Sequence, residues 1–335
     1  MTLRVLHVVP IAPDGGTSGF TQRQIDRLAE AGVEGRTVFF GGSAMLLQPH
    51  RLFIGIAAIR RESRMFQPDI VHAHWGSLLA LAAALASLGG PPLVITYRGS
   101  DINPVPSEPW IPRLIRVACS QLAVLLAAAV ICVSDELRER LWSRSGIIRV
   151  IPDGTDLSFF RPLNKLDARR KLDWPFDERV VFFHEGGRPE VKRRDLADGS
   201  LIEARNILGQ CRLEVMGSDV PYEHVPLLLN ASDCLLVTSD FEGSPNIVRE
   251  ALACHVPIVS VEVGDVRRWL TNLDGTRIVE RDPAEIGRAL AEIIASGIRP
   301  AAESKTSQFN DESSRNAVLD TYHQIIADAK KQGRS

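Results

Sequence analysis

Apolar residues in this chain cluster in short dense runs, separated by longer stretches in which they recur every three or four positions. Leu3–Val9 is the first run, ending at Pro10, and others follow at Thr37–Phe40, Ile70–Ala73, Leu93–Thr96, Ala129–Val133 and Arg149–Ile151. Short runs without strict alternation predict strands buried on both faces, as in a parallel sheet sandwiched by helices. Between them the helical period predicts helices over Thr21–Ala31 and Trp110–Ala128. A second series begins at Val180–Phe183 and continues through Arg212–Met216, Cys234–Thr238, Ile258–Val261 and Gly275–Val279. Its predicted helices lie around Lys192–Leu208, Asn246–Cys254 and Pro283–Ala295. A last helix, Ser313–Lys330, carries Val318, Tyr322, Ile325 and Ile326 on one face. Two such alternations in succession predict an α/β protein of two doubly wound units. Phe159–Arg170 reads as the linker, and no lysine occurs before Lys165. The expected segments are therefore 1–162, 163–310 and 311–335.

Composition changes this picture little. A chain of 335 residues exceeds the usual single-domain size, and 45% apolar content with a mean hydropathy of 0.00 fits a soluble globular protein. The formal charge of −2 argues against a nucleic-acid partner. Five cysteines form no CxxC pattern and no secretory signal opens the chain, so reduced thiols in a cytoplasmic protein are expected. The apolar stretch Val117–Val133 is too short for a membrane span and contains Ser120 and Gln121. It divides instead into the end of a helix and a strand.

The richest chemistry lies between Ser239 and Gly264. Glu242 and Glu250 are separated by seven residues, and between them Gly243-Ser244-Pro245-Asn246 is a helix-start signal, with Ser244 as the expected N-cap and Pro245 at the first helical position. A buried strand, a glycine turn and a helix N-terminus present unpaired N–H groups and a partial positive charge, which suits phosphate. Ionised carboxylates only accept hydrogen bonds, so Glu242 in the turn and Glu250 inside the helix suit hydroxyl donors such as a ribose diol or a sugar. A sugar nucleotide is the implied ligand. Upstream, Gly186 and Gly187 let the backbone approach a ligand, with Arg188 and Lys192 supplying cations beside them. Fixed cations there would stabilise the charge that develops on a leaving diphosphate. Glu214-Val-Met-Gly217-Ser218 ends another strand in a glycine turn. In the first half, Asp69-Ile-Val-His72-Ala-His74 places two histidines on one face of a strand; the HxH pair could bind a metal, but no third ligand is evident from spacing.

These motifs resemble the retaining, nucleotide-sugar-dependent glycosyltransferases of family 4, whose GT-B fold has two Rossmann-like domains facing a central cleft and a last helix crossing back to the first domain. The resemblance spans nearly the whole chain and is most specific in the second half. It implies that Glu242 approaches the donor sugar and Glu250 holds the ribose, with Gly243, Ser244, Pro245 and Asn246 around the phosphates. It also implies a diphosphate clamp of Arg188 and Lys192 beside Gly187. The clamp interval is one residue short, so Arg193 is an alternative to Lys192. Gly217 corresponds to the loop around the base and Gly16 to the N-terminal glycine loop. Thr96-Tyr-Arg98-Gly-Ser-Asp101 matches a His-Gly-x-Asp element with Arg98 in the place of histidine, and Asp153 replaces an asparagine in Ile-Pro-Asp-Gly. His74, Arg98 and Asp101 are the acceptor-side candidates; for Asp101, a sugar hydroxyl and the Arg98 side chain are equally open partners. The implied activity is a retaining hexosyl transfer from a nucleoside diphosphate sugar such as a UDP-sugar to a saccharide or lipid-linked saccharide, in bacterial surface polysaccharide or glycolipid synthesis. No metal or other cofactor is expected. Alternatives are a sugar-nucleotide epimerase and a degenerate, nucleotide-binding scaffold of a polysaccharide assembly complex. The arginines at 51, 60, 61 and 64, flanking apolar residues, add an expectation of peripheral contact with the inner face of the membrane.

Overall fold

In the first half of the chain, β1 (Arg4–Pro10), β2 (Glu34–Phe40), β3 (Ile70–Ala73), β4 (Leu93–Tyr97), β5 (Ala129–Cys132) and β6 (Ile147–Val150) pair in parallel in the order β2-β1-β3-β4-β5-β6. β3, β4 and β5 are buried at every residue, the reason their sequences are continuously apolar. In the second half, β7 (Arg179–Gly186), β8 (Cys211–Gly217), β9 (Cys234–Val237), β10 (Ile258–Val261) and β11 (Thr276–Val279) form a second parallel sheet, ordered β11-β10-β9-β7-β8. The computed structural model describes residues 2–11, 18–41, 49–105, 108–143, 146–186 and 189–332.

The chain divides into two units, one of residues 1–154 with 311–335 and one of residues 155–310. The last helix, Asp311–Gln332, is part of the first unit because Val318, Tyr322 and Ile325 pack with Val5, Ile70 and Val94. The chain leaves the first unit at Gly154, ahead of the break expected after Pro162. Phe160 explains the difference: it is buried in the second unit's core, with Leu157 and Phe159 packed against it, so the polar-looking linker is anchored by its aromatic residues.

Local order also departs from the periodic reading near residue 193. The expected helix from Lys192 is two helices, Pro189–Lys192 and Arg194–Leu208, because Arg193 takes a left-handed conformation at φ 55°. Helix Trp110–Val124 stops short of Ala128, leaving a turn before β5. All five cysteines are buried and unpaired. Among the described residues no helix is long and apolar enough to cross a membrane.

Candidate active site

In an open parallel sheet the crevice forms where strand order reverses, at the carboxyl ends of the two strands on either side. In the second sheet that point lies between β7 and β9. The chain leaving β7 enters helix Pro189–Lys192, and the chain leaving β9 enters the Ser239–Pro245 turn. The two segments are stitched together: Thr238 Oγ1 donates to the Lys192 carbonyl at 2.7 Å and Asp240 N–H to the Val191 carbonyl at 2.9 Å. Lys192 Nζ consequently pairs with Glu242 at 2.5 Å, and Ser239 Oγ donates to the same carboxylate at 2.9 Å. Arg193, the alternative cation, turns away to Asp195 and Asp240. Gly187, Arg188 and Gly16 lie outside the described residues.

Glu250 is 5% exposed and accepts a hydrogen bond from Tyr222 Oη at 2.8 Å. Tyr222 follows β8 and lies against Phe159 and Phe160. Gly217 closes β8, where a Cβ would stand 2.6 Å from Asp219 Oδ1. The turn between the two glutamates differs from its expected form. The helix runs Asn246–Ala253 with Pro245 at the cap position, and no side chain caps it. Ser244 Oγ donates instead to Asp265 Oδ2 at 2.7 Å, and Asn246 Oδ1 accepts from Arg249. The side chains of Ser244 and Asn246 therefore face the protein, leaving backbone N–H groups of the first helical turn as the donors for an anion. Beside the Lys192–Glu242 pair sits His184, whose pKa is lowered to about 4 by burial and by the charge of Lys192. It is a neutral imidazole at physiological pH.

The first unit's candidates are occupied by the fold. Arg98 directs Nε and Nη2 at the Asp153 carboxylate (3.0–3.2 Å), Nη1 at the His74 carbonyl (3.1 Å) and Nη2 at Gln24 (2.9 Å), with Phe20 beneath its plane. The two departures from the family pattern, Arg98 and Asp153, are thus a single compensated ion pair. Asp101 is fully buried and accepts from the backbone N–H groups of Arg98, Gly99 and Gly76. Its carboxylate ties two turns together and leaves the Arg98 side chain to Asp153.

His72 and His74 gain a neighbour that spacing does not reveal. Register places His7 of β1 opposite His72, and the ligand atoms of all three lie within 4.8 Å of one another. His7 Nδ1 and His74 Nε2 share a hydrogen bond at 2.9 Å, while His72 is engaged by Tyr322 Oη at 2.6 Å and Thr96 Oγ1 at 2.7 Å. The ring centroids of His72 and His74 lie 3.9 Å apart, with their planes tilted by 32°. Both nitrogens of His72 are held by hydroxyls. This donor set fits a hydrogen-bonded core better than a tetrahedral cation. Burial lowers the pKa of each ring, for His7 to about 4, so the cluster is neutral. Sequence reading misses His7, Tyr222, His184, Arg249 and Asp265; the one available signal is the place of His184 near the carboxyl end of β7.

Two family profiles match in succession: Glycosyltransferase Family 4 over residues 7–159 and Glycosyl transferases group 1 over residues 179–296. The chain is 31% identical over 247 residues to TuaC of Bacillus subtilis, named as a teichuronic acid biosynthesis glycosyltransferase. That alignment covers 67% of this chain and 61% of TuaC, so the chain spans less than two thirds of that relative. Among solved structures, sucrose-phosphate synthase from Thermosynechococcus elongatus superposes with a TM-score of 0.75 at 17% identity, covering 97% of this chain and 99% of that one. Anabaena HepE, solved in complex with UDP and glucose, gives 0.70 at 17% identity over 96% and 100%. These structures share the GT-B fold with it. With both halves matched in order, the chain belongs to the family 4, group 1 glycosyltransferases.

Proposed function

We propose that this protein transfers a sugar, with retention of configuration, from a nucleoside diphosphate sugar to an acceptor hydroxyl. The observation that carries the reading is the pair of carboxylates on one turn-and-helix segment, each already accepting from hydrogen-bond donors as it would from the hydroxyls of a sugar nucleotide: Lys192 and Ser239 on Glu242, Tyr222 on Glu250. Glu250 takes the ribose diol, and Glu242 positions the donor sugar. Lys192, with Arg188, holds the diphosphate against the N–H groups that follow Gly243. Attack on the same face lets the leaving phosphate accept the acceptor proton, so no separate protein base is required. Fixed cations and the helix terminus take the part a metal would otherwise play. UDP is the favoured nucleotide because HepE was solved with it, and a surface polysaccharide is the favoured product because TuaC is named for one.

Thermal-shift titration against a panel of nucleoside diphosphate sugars tests this. A donor at about 100 times its Kd should stabilise the protein by about 2.7 kcal/mol, with slow release of nucleoside diphosphate. Glu250→Ala should abolish the shift while remaining folded. Stabilisation without release in any acceptor mixture would favour a scaffold, and interconversion of donor sugars by mass analysis an epimerase. No response to any sugar nucleotide would end the proposal.

The acceptor side includes a membrane expectation. Helix Pro49–Phe66 exposes Phe53, Ile54 and Met65, and Arg60, Arg61 and Arg64 are exposed on the same helix. Apolar side chains among arginines suit the interface of an anionic bilayer. Co-sedimentation with vesicles rich in anionic lipid should be lost in an Arg60→Glu, Arg61→Glu, Arg64→Glu triple variant; equal binding of both proteins would remove membrane contact through this helix.

A further inference from the structure

Behind the phosphate-facing turn, two charged side chains are sealed from solvent. Arg249 has no exposed surface and Asp265 only 8%. Arg249 lies in the first turn of helix Asn246–Ala253, directly before Glu250, and Asp265 follows β10. They are joined through one hydroxyl: Arg249 Nη1 donates to Ser244 Oγ, and Ser244 Oγ donates to Asp265 Oδ2 at 2.7 Å. The other arm of Arg249 donates to Asn246 Oδ1. The loop carrying Asp265 lies directly on the turn, which Gly264 permits. At φ 55°, a Cβ on Gly264 would stand 3.1 Å from the Gly243 carbonyl and 3.3 Å from Glu242 Cβ.

Buried charge needs a reason, since well-packed apolar residues in the same volume are often as stable. A cation in the first turn of a helix also opposes the local dipole. Asp265 supplies the balancing charge through the Ser244 hydroxyl. The consequence is geometric. A hydroxyl placed between a cation and a carboxylate has one orientation, its lone pair to the guanidinium and its proton to the carboxylate. That orientation fixes the Ser244 rotamer, and with Asn246 held by the same guanidinium it fixes both ends of the Ser244–Asn246 segment.

We infer that Arg249, Ser244 and Asp265 form a clasp that holds the Gly243–Asn246 turn in the shape that receives the donor diphosphate. Arg249 and Asp265 are positioning residues that act through Ser244 and the turn backbone. The inference rests on the sugar-nucleotide reading for its ligand, and on the structure alone for its effect on the turn.

Two readouts on the full chain keep those apart. Calorimetric titration with UDP, GDP and ADP is performed on the wild type, Ser244→Ala, Asp265→Asn and the conservative Ser244→Thr. Amide hydrogen exchange across residues 243–247 is measured on the same proteins without ligand. Ser244→Ala and Asp265→Asn should weaken nucleotide binding about tenfold, equivalent to about 1.4 kcal/mol. Both should also speed exchange at the turn about tenfold. Ser244→Thr should restore both. Unchanged exchange in Ser244→Ala and Asp265→Asn would overturn the clasp, as would lowered melting temperatures with wild-type affinity in the folded protein. A wild type that binds none of the three nucleotides overturns the donor reading, and exchange still decides the clasp.

Discussion

Replacing Lys192 with methionine should lower turnover by about 10²- to 10³-fold, the range for removing one preorganised donor to a developing oxyanion. Breaking a glycosidic bond to a diphosphate moves negative charge onto the leaving group, so a fixed cation gains interaction as the transition state forms. The structure fixes this one. Lys192 ends a short helix whose carbonyls at Val191 and Lys192 are bonded to the segment after β9, and its ammonium is held on Glu242 at 2.5 Å. Under the proposed function, a donor sugar anchored by Glu242 carries its phosphates to a cation already in place. Both partners are 18% exposed, which strengthens the interaction relative to a surface pair. If the interaction belongs to the transition state, kcat and kcat/KM fall together in steady-state kinetics with the donor. A rise in donor KM alone would make Lys192 a ground-state anchor, and unchanged kinetics would remove it from the reaction. Lys192→Arg keeps the charge but spreads it over a planar fork, so it should recover only part of the loss.

What the sequence shows of this fold is whatever short range decides. Ile258–Val261 is read to the residue because four buried positions, three of them β-branched apolar residues, lie between a proline and a polar turn. Helices Pro283–Ser296 and Asp311–Gln332 follow from period to within two residues at each end, against the expected Pro283–Ala295 and Ser313–Lys330. The left-handed residue at Arg193 escaped because helical periodicity continues across it; the break brings Lys192 to Glu242 and turns Arg193 to Asp195 and Asp240. Ser244 is a good N-cap by local rules, yet its hydroxyl has a stronger charged acceptor, Asp265, on a loop that only the folded sheet brings near. His7 joins His72 through strand register, which sequence spacing does not carry. The Glu242–Glu250 pair was legible because both ends of that chemistry lie on one continuous segment. Tyr222 and Asp265, which support it, come from elsewhere in the chain, and Arg249, though on the same segment, meets Asp265 through the Ser244 hydroxyl only in the folded unit.

The same logic governs Arg98, and it gives the largest expected effect on stability. Taken singly, an arginine in the place of histidine suggests an anion-binding site, and an aspartate in the place of asparagine suggests nothing. In the structure each explains the other. The Arg98 side chain is 3% exposed and that of Asp153 is 12% exposed, with Arg98 Nε and Nη2 on the carboxylate. Arg98→Met should therefore leave a largely buried carboxylate uncompensated and destabilise the first unit by about 3–5 kcal/mol. At roughly 2–4 °C per kcal/mol for a unit of this size, its melting transition should fall by about 6–20 °C. Asp153→Asn should also destabilise, since the guanidinium then loses its charged partner among the described residues. The double variant should be more stable than the sum of the singles implies, by about 0.5–3 kcal/mol of coupling. Arg98→His with Asp153→Asn, the residues of the family pattern, should recover more still because neither side chain is then an uncompensated ion. Differential scanning calorimetry of the four proteins reads the cycle. Additive single effects would show that the pair is incidental. A wild-type melting transition in Arg98→Met with a lost donor or acceptor response would instead give Arg98 the anion-binding role that its sequence position suggests.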